Sequence, residues 1–291
     1  MNRRDFILAT AGTLAAASTT GQAAEKPLTG EVGIVAATLG AHTAPGKKGG
    51  LALNDLPRLI RQELGMRVID MNTMNFASLT PKIAEQFRAA ADREGCVLTN
   101  LKLNQRNVDL AGPDAAKRKH ALETYQRSVD AAKLMGMKWV RPLPRPKQGD
   151  RRHLLAGLRA LDDYAGERGL RVLIENFGWM QADANSVANL IRDLGGNLPA
   201  SPDTGNWNSN PIRYEGLAKS FPLAVTCDFK AKTLGAKGEH PQYDLQRCFQ
   251  IGWDAGFRGP WCIEHGHKDL PTLIRNLKMI KGMLDGWMRK A

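Results

Sequence analysis

The chain is short of cysteine, histidine and long apolar runs, and each shortage closes off a class of protein. Its four cysteines, Cys96, Cys227, Cys248 and Cys262, show no C-x-x-C spacing. A zinc-finger or disulfide-scaffold reading is therefore poor. Six histidines in 291 residues are too few for a multi-zinc site built on imidazoles. Beyond the N-terminus no apolar run is long enough to cross a bilayer. The glycine-bearing stretch "GIVAATLGAHTAPGKKGG" matches neither G-x-G-x-x-G nor a P-loop, so the usual signatures for nucleotide phosphates are missing. Linkers and low-complexity segments are absent too. Acidic residues are outnumbered, 29 against 41 Lys and Arg. The basic residues are dispersed, however, and no stretch interleaves many of them with aromatics. This reads as a solvated basic surface, useful at most for anionic ligands, and not as a nucleic-acid interface.

What is present begins with "MNRRDFILATAGTLAAASTTGQAAE". Arg3 and Arg4 precede a short, weakly apolar, Ala- and Thr-rich region and then small residues. That pattern predicts a twin-arginine signal over residues 1–23, recognised by the twin-arginine export machinery and cleaved near Ala24. The expected location is periplasmic or exported. Residues 24–291 then remain, a length that suits one large domain or two small ones.

Eight β-rich runs alternate with amphipathic stretches. The runs are "EVGIVAATL" (31–39), "MRVIDMNT" (66–73), "CVLTNLKL" (96–103), "KWVRPLP" (138–144), "RVLIENF" (171–177), "LPASPDT" (198–204), "LAVTCDFKA" (223–231) and "GPWCIEH" (259–265). Between them, "DLPRLIRQEL" carries an apolar stripe, and "ALETYQRSVDAAKLMG" and "SVANLIRDLGG" end in glycine as helix C-caps prefer. Strand–helix alternation predicts βαβ units and a parallel sheet. Eight units in this length predict a single (βα)8 TIM barrel, an α/β fold.

Active sites of such barrels sit at the C-terminal ends of the strands. Four consecutive runs deliver a carboxylate there: Glu175, Asp203, Asp228 and Glu264. Four like charges at one mouth repel strongly in a partly dry site. A divalent cation held by oxygen ligands is the economical compensation, and an all-carboxylate site prefers Mg²⁺ or Mn²⁺ over Co²⁺ or Zn²⁺. Side chains alternate in and out along a strand. With Asp228 inward, Thr226 and Lys230 are inward too, and Cys227 faces the helices. Glu264 inward takes Cys262 inward and turns His265 outward. A Cys227–Cys262 disulfide is then excluded, and Cys227 is expected to pack against Cys248. Asp70, ending "VID" in the second run, reads as a structural ion-pair member. Trp179, Trp207 and Trp261 are candidate apolar walls or loop packing. His120 and His153 read as helix-surface residues, and His267 as a loop residue.

"LIENFG" (173–178), "PDTGNW" (202–207) and "YDLQRCFQIGWDAGFRGPWCIEH" (243–265) resemble the xylose isomerase-like sugar isomerase/epimerase superfamily, over nearly all of residues 24–291. The resemblance implies a divalent metal held by Glu, Asp, His and Glu from strands five to eight, of which Glu175, Asp203 and Glu264 match three. On the seventh strand the family's "H-x-K" is replaced by "DFK". The favoured register puts Asp228 in the histidine place and Lys230 in the lysine place. A shifted register would put Lys230 in the histidine place. Asn206 stands where some epimerases carry a substrate-binding His. By the same resemblance, Asp70 is alternatively a substrate contact.

The implied activity is metal-dependent isomerisation or epimerisation of a small carbohydrate by proton transfer next to a carbonyl. Glu175 and Glu264 are the expected acid/base pair. Asn176, Asn206, Lys230 and His240 are the expected substrate contacts, Lys230 alternatively only neutralising the carboxylates. Elimination or hydrolysis of an oxidised sugar on the same fold, or sugar binding without turnover, are the alternatives. An endonuclease IV-type phosphodiesterase shares the fold, but its zinc cluster needs more histidines than this chain offers at its strand ends.

Overall fold

A computed structural model describes residues 28–43, 50–145 and 147–291. The expected twin-arginine segment, 1–23, lies outside the described residues. Among those described, seven parallel strands form one sheet: β1 (Val32–Val35), β2 (Val68–Asn72), β3 (Val97–Leu103), β4 (Trp139–Pro142), β5 (Arg171–Val172), β6 (Cys227–Lys230) and β7 (Trp261–Glu264). Their order is β5-β4-β3-β2-β1-β7-β6. The sequence predicts eight strands, and the difference lies in the sixth run, 198–204. It makes only isolated parallel bridges, Ile174 with Ala200, Ala200 with Ala224, and Asp203 with Asp228. These lie between the ends of β5 and β6 and close the ring. Proline explains the irregularity. Pro199 and Pro202 have no N–H to give a ladder, so they serve only as acceptors, from Ile174 N (3.0 Å) and Asp228 N (2.9 Å).

The helices follow the expected amphipathic stretches. Ala115–Leu134, Arg151–Gly166, Leu245–Asp254 and Leu270–Lys290 are each N-capped by the aspartate just before them, Asp114, Asp150, Asp244 and Asp269, which satisfies free amides of the first turn. Leu56 and Ile60 bury the stripe of the short helical stretch after β1. Among the described residues no helix is long and apolar enough to cross a membrane.

Most of the core lies between sheet and helices. Trp261, Phe221, Phe249 and Phe257 pack there in tilted and edge-on pairs with ring centroids 4.9–5.4 Å apart, so Trp261 packs the core and does not wall a sugar site. The barrel interior is different. Its lower end holds a small apolar plug of Val35, Val68 and Cys262. Gly33 permits the close approach there, since a Cβ would meet Val68 at 2.9 Å. Above the plug the interior turns polar, where branched apolar residues dominate in most such barrels. Parity places the cysteines as expected: Cys262 meets Thr226 at 3.8 Å inside, Cys227 joins the outer core with Cys248, and all four thiols are free and buried.

Candidate active site

β6 ends in Cys-Asp-Phe-Lys, and alternation sends both Asp228 and Lys230 into the barrel, where they are 1% and 6% exposed. There they meet side chains from every neighbouring strand end. Lys230 Nζ donates to Asp203 Oδ2 at 2.7 Å and to Asn206 Oδ1 at 3.0 Å, and pairs with Glu264 Oε1 at 3.0 Å. Asp228 Oδ2 accepts from Lys102 Nζ on β3 at 2.5 Å. Lys102 also lies 3.9 Å from Glu175 Oε2, and Arg141 Nε on β4 lies 2.6 Å from the same oxygen.

Lys102 and Arg141 are the residues that sequence reasoning missed. Each is the one cation within its strand, β3 or β4, near the strand's C-terminal end. That isolation was the available signal.

Asp203 is held by four donors: the Gly205 and Asn206 amides on Oδ1, and Asn206 Nδ2 and Lys230 Nζ on Oδ2. Asn206 also reaches Glu175 Oε1 at 3.3 Å, so it ties both acids to Lys230. Asn176 is fully committed to backbone: Nδ2 donates to the carbonyls of Asp203 and Asn206, and Oδ1 accepts from Asp203 N at 2.8 Å. It shapes the 203–206 turn. Asp70 on β2 accepts from Thr99 Oγ1 and, at 3.5 Å, from Asn100 Nδ2.

Burial dominates the titration of these acids. It pushes Glu175 up to about 7, with Arg141 and Lys102 pulling down and Asp228 and Asp203 pushing up. It raises Asp70 to about 6 against the Lys102 charge, and raises Glu264 against Lys230. Burial alone would lower both lysines. Asp228 and Glu175 hold Lys102 above its usual value, and Asp203 and Glu264 do so for Lys230. Both therefore stay charged.

The cluster can accept a cation. Glu175, Asp203 and Asp228 each offer a carboxylate oxygen, all within 4.8 Å of one another. Among the described residues, Asp228 Oδ1 and Glu175 Oε2 are buried without a hydrogen-bond donor. For Glu175 Oε2 this holds although Arg141 is near, because the two are close but poorly aligned. Five acids (Asp70, Glu175, Asp203, Asp228, Glu264) face three bases (Lys102, Arg141, Lys230), an excess of two negative charges if all ionise. That donor set suits a hard divalent ion. Glu264 stands apart from the triad, on the far side of Lys230.

The remaining expected residues lie elsewhere. His240 stacks on Tyr243 at 3.9 Å and lines a separate surface pocket with Met283 and Trp287. His265 contacts the Ala231 carbonyl and Asn276 at 3.0 Å, facing the last helix as parity requires. His120 and His267 are exposed and His153 is half-buried. Trp207 fills the space over Gly216. Trp179 lines a cavity of about 40 Å³ beside Glu175, with Val108, Leu110, Leu143 and Met180. Glu264 instead opens onto a pocket of about 370 Å³ with Thr38, Lys232 and His265.

Comparison with known proteins agrees with this architecture. The sequence pattern of the xylose isomerase-like TIM barrel family matches residues 60–290, and the chain belongs to that family. Its fold is similar to D-psicose 3-epimerase with D-tagatose from Clostridium cellulolyticum H10 (14% identity, 88% of this chain and 98% of that one, TM-score 0.69). It is also similar to an L-ribulose 3-epimerase (13%, 89% and 96%, 0.70) and to a xylose isomerase-like TIM barrel protein from Mycobacterium smegmatis in complex with magnesium (19%, 88% and 97%, 0.63). At these identities the likeness is one of fold. No curated protein matches the sequence.

Proposed function

We propose that the protein is an isomerase or epimerase of a sugar or sugar derivative, moving a proton at a carbon next to a carbonyl. The observation that carries this reading is the pairing of two strand-end glutamates around one cluster, one sealed and one facing a pocket. Glu264, at the pocket, removes the proton. Lys230 holds its carboxylate in place from 3.0 Å. Glu175, on the sealed side, returns a proton. Burial raises the Glu175 carboxyl above its ordinary value, the direction that favours giving a proton near neutral pH. Asn206, which reaches Glu175, and Lys230, which pairs with Glu264, would meet substrate oxygens.

In this reading Glu175, Asp203 and Asp228 hold a divalent cation, Mg²⁺ or Mn²⁺ ahead of Co²⁺ or Zn²⁺, with Glu264 as the fourth carboxylate at the mouth. Bound there, the ion would act as a Lewis acid toward negative charge building on the substrate oxygen. Its support is the donor set described above.

The test is a screen of sugars and keto-sugars in D₂O. Deuterium should enter the carbon next to the carbonyl. Product without deuterium would point to a hydride shift. Deuterium uptake with loss of a substituent would point to elimination from an oxidised sugar. Saturable binding with neither would leave a sugar-binding protein. We further propose export by the twin-arginine route, on Arg3 and Arg4. Replacing both with lysine should retain the precursor in the cytoplasm, and unchanged export would refute it.

A further inference from the structure

We infer that the Lys102 ammonium and a divalent ion are alternative occupants of the Asp228–Glu175 side of the cluster, so that Lys102 sets how tightly the site holds metal. The inference rests on the metal reading above and goes beyond it. Two of the three converging carboxylates, Asp228 and Glu175, already face Lys102 Nζ, at 2.5 and 3.9 Å. The side chain is 2% exposed, so water cannot screen its charge from an ion arriving at the same oxygens. Ammonium and metal therefore repel at short range in a poorly screened interior.

The ammonium also has somewhere to go. Asn100 precedes Lys102 by two residues on β3 and shares its face of the strand. Among the described residues its Oδ1 is a buried acceptor with no donor. Its Nδ2 reaches Asp70, whose carboxyl already feels the Lys102 charge. Metal at Asp228 and Glu175 would send the flexible lysine stem toward Asn100 and Asp70, completing an acceptor that is otherwise orphaned. Lys230 has no equivalent freedom. It is held at once by Asp203, Asn206 and Glu264.

The experiment is calorimetric titration of the purified protein with MgCl₂ and MnCl₂. Lys102→Gln should bind metal about tenfold tighter or more, the direction set by removing a unit charge some 4 Å from the ion. Lys102→Arg, which keeps the charge, should stay as weak as wild type. Loss of a merely structural lysine would loosen binding, so equal or weaker affinity in Lys102→Gln overturns the inference while sparing the metal reading. Uptake by neither protein overturns both. Should Lys102→Gln not fold, wild-type protein with ¹⁵N-lysine answers instead. The Lys102 Nζ resonance should shift with Mg²⁺ occupancy, and bound Mg²⁺ with an unmoved resonance overturns the proposal.

Discussion

The two halves of the carboxylate cluster use the same chemistry for different ends. In the sealed half, Glu175, Asp228, Lys102 and Arg141 are each at most 3% exposed in their side chains. In the open half, the Glu264 side chain is 26% exposed and faces a pocket, with Lys230 between it and Asp203. A strand-end glutamate thus faces a pocket in one half and is held among protein cations in the other. The lesson is energetic. Buried pairs roughly break even while intact, but losing one partner is expensive. The sealed half should therefore answer to mutation in stability as well as activity, and the open half in activity.

Glu264→Gln offers the largest effect and the cleanest way to break this contrast. It should cut deuterium exchange by about 10²–10⁴-fold, the range for loss of a general base. Its unfolding free energy should fall less than that of Glu175→Gln, because Lys230 keeps Asp203 and Asn206 as partners. Glu175→Gln should lose comparable activity and stability as well, because Arg141 and Lys102 lose a partner. Equal stability losses in the two variants would erase the distinction, and full activity in both would remove the site.

Next comes the sealed pair itself. Lys102→Met strands Asp228 and should cost about 3–5 kcal/mol in urea unfolding. Adding Asp228→Asn should recover a good part of that loss, since the two residues act as a unit. Simple additivity would mean that the pair is not coupled.

Asp70 sharpens the contrast through pH. Its folded value of about 6 lies above the unfolded value of 3.8, so the fold favours the protonated carboxyl. Its contribution is fully present below the unfolded value and is lost as pH rises through about 6. That makes the native state about 3 kcal/mol less stable at pH 7 than at pH 3 from this group alone. Asp70→Asn should remove the dependence and raise stability at pH 7, with Asn100 able to flip its unpaired Oδ1 toward the new amide. Parallel pH–stability curves for wild type and variant would refute the shift.

The smallest effect is that of metal. Mg²⁺ or Mn²⁺ at about 100 times its dissociation constant should stabilise the fold by about 2.7 kcal/mol. A chelator should reverse the gain, and Glu175→Gln should abolish it. A thermal-shift series reads all three.

Much of this was legible in the sequence, and the failures have physical causes. Glu175, Asp203, Asp228 and Glu264 were visible because each closes an apolar run, and parity turned Asp228 and Lys230 inward and Cys227 outward. The broken sixth strand was also written there, in Pro199 and Pro202. His240, in "GEHPQYD", was an expected substrate contact. The loop instead carries it onto the last helix, beside Met283 and Trp287. Lys102 and Arg141 were passed over because their runs were read for apolar content, and because Lys102 meets Asp228 across 126 residues.

The sequence alone determined the alternation of strand and helix, the face on which each side chain stands, and the delivery of acids to one rim. These follow from two-residue and 3.6-residue periods, which are local. Only the tertiary structure decided which cation meets which carboxylate, and which glutamate is sealed. Those pairings depend on how far each strand is staggered when the sheet closes, because the stagger sets the heights at which side chains from distant strands face one another across the barrel.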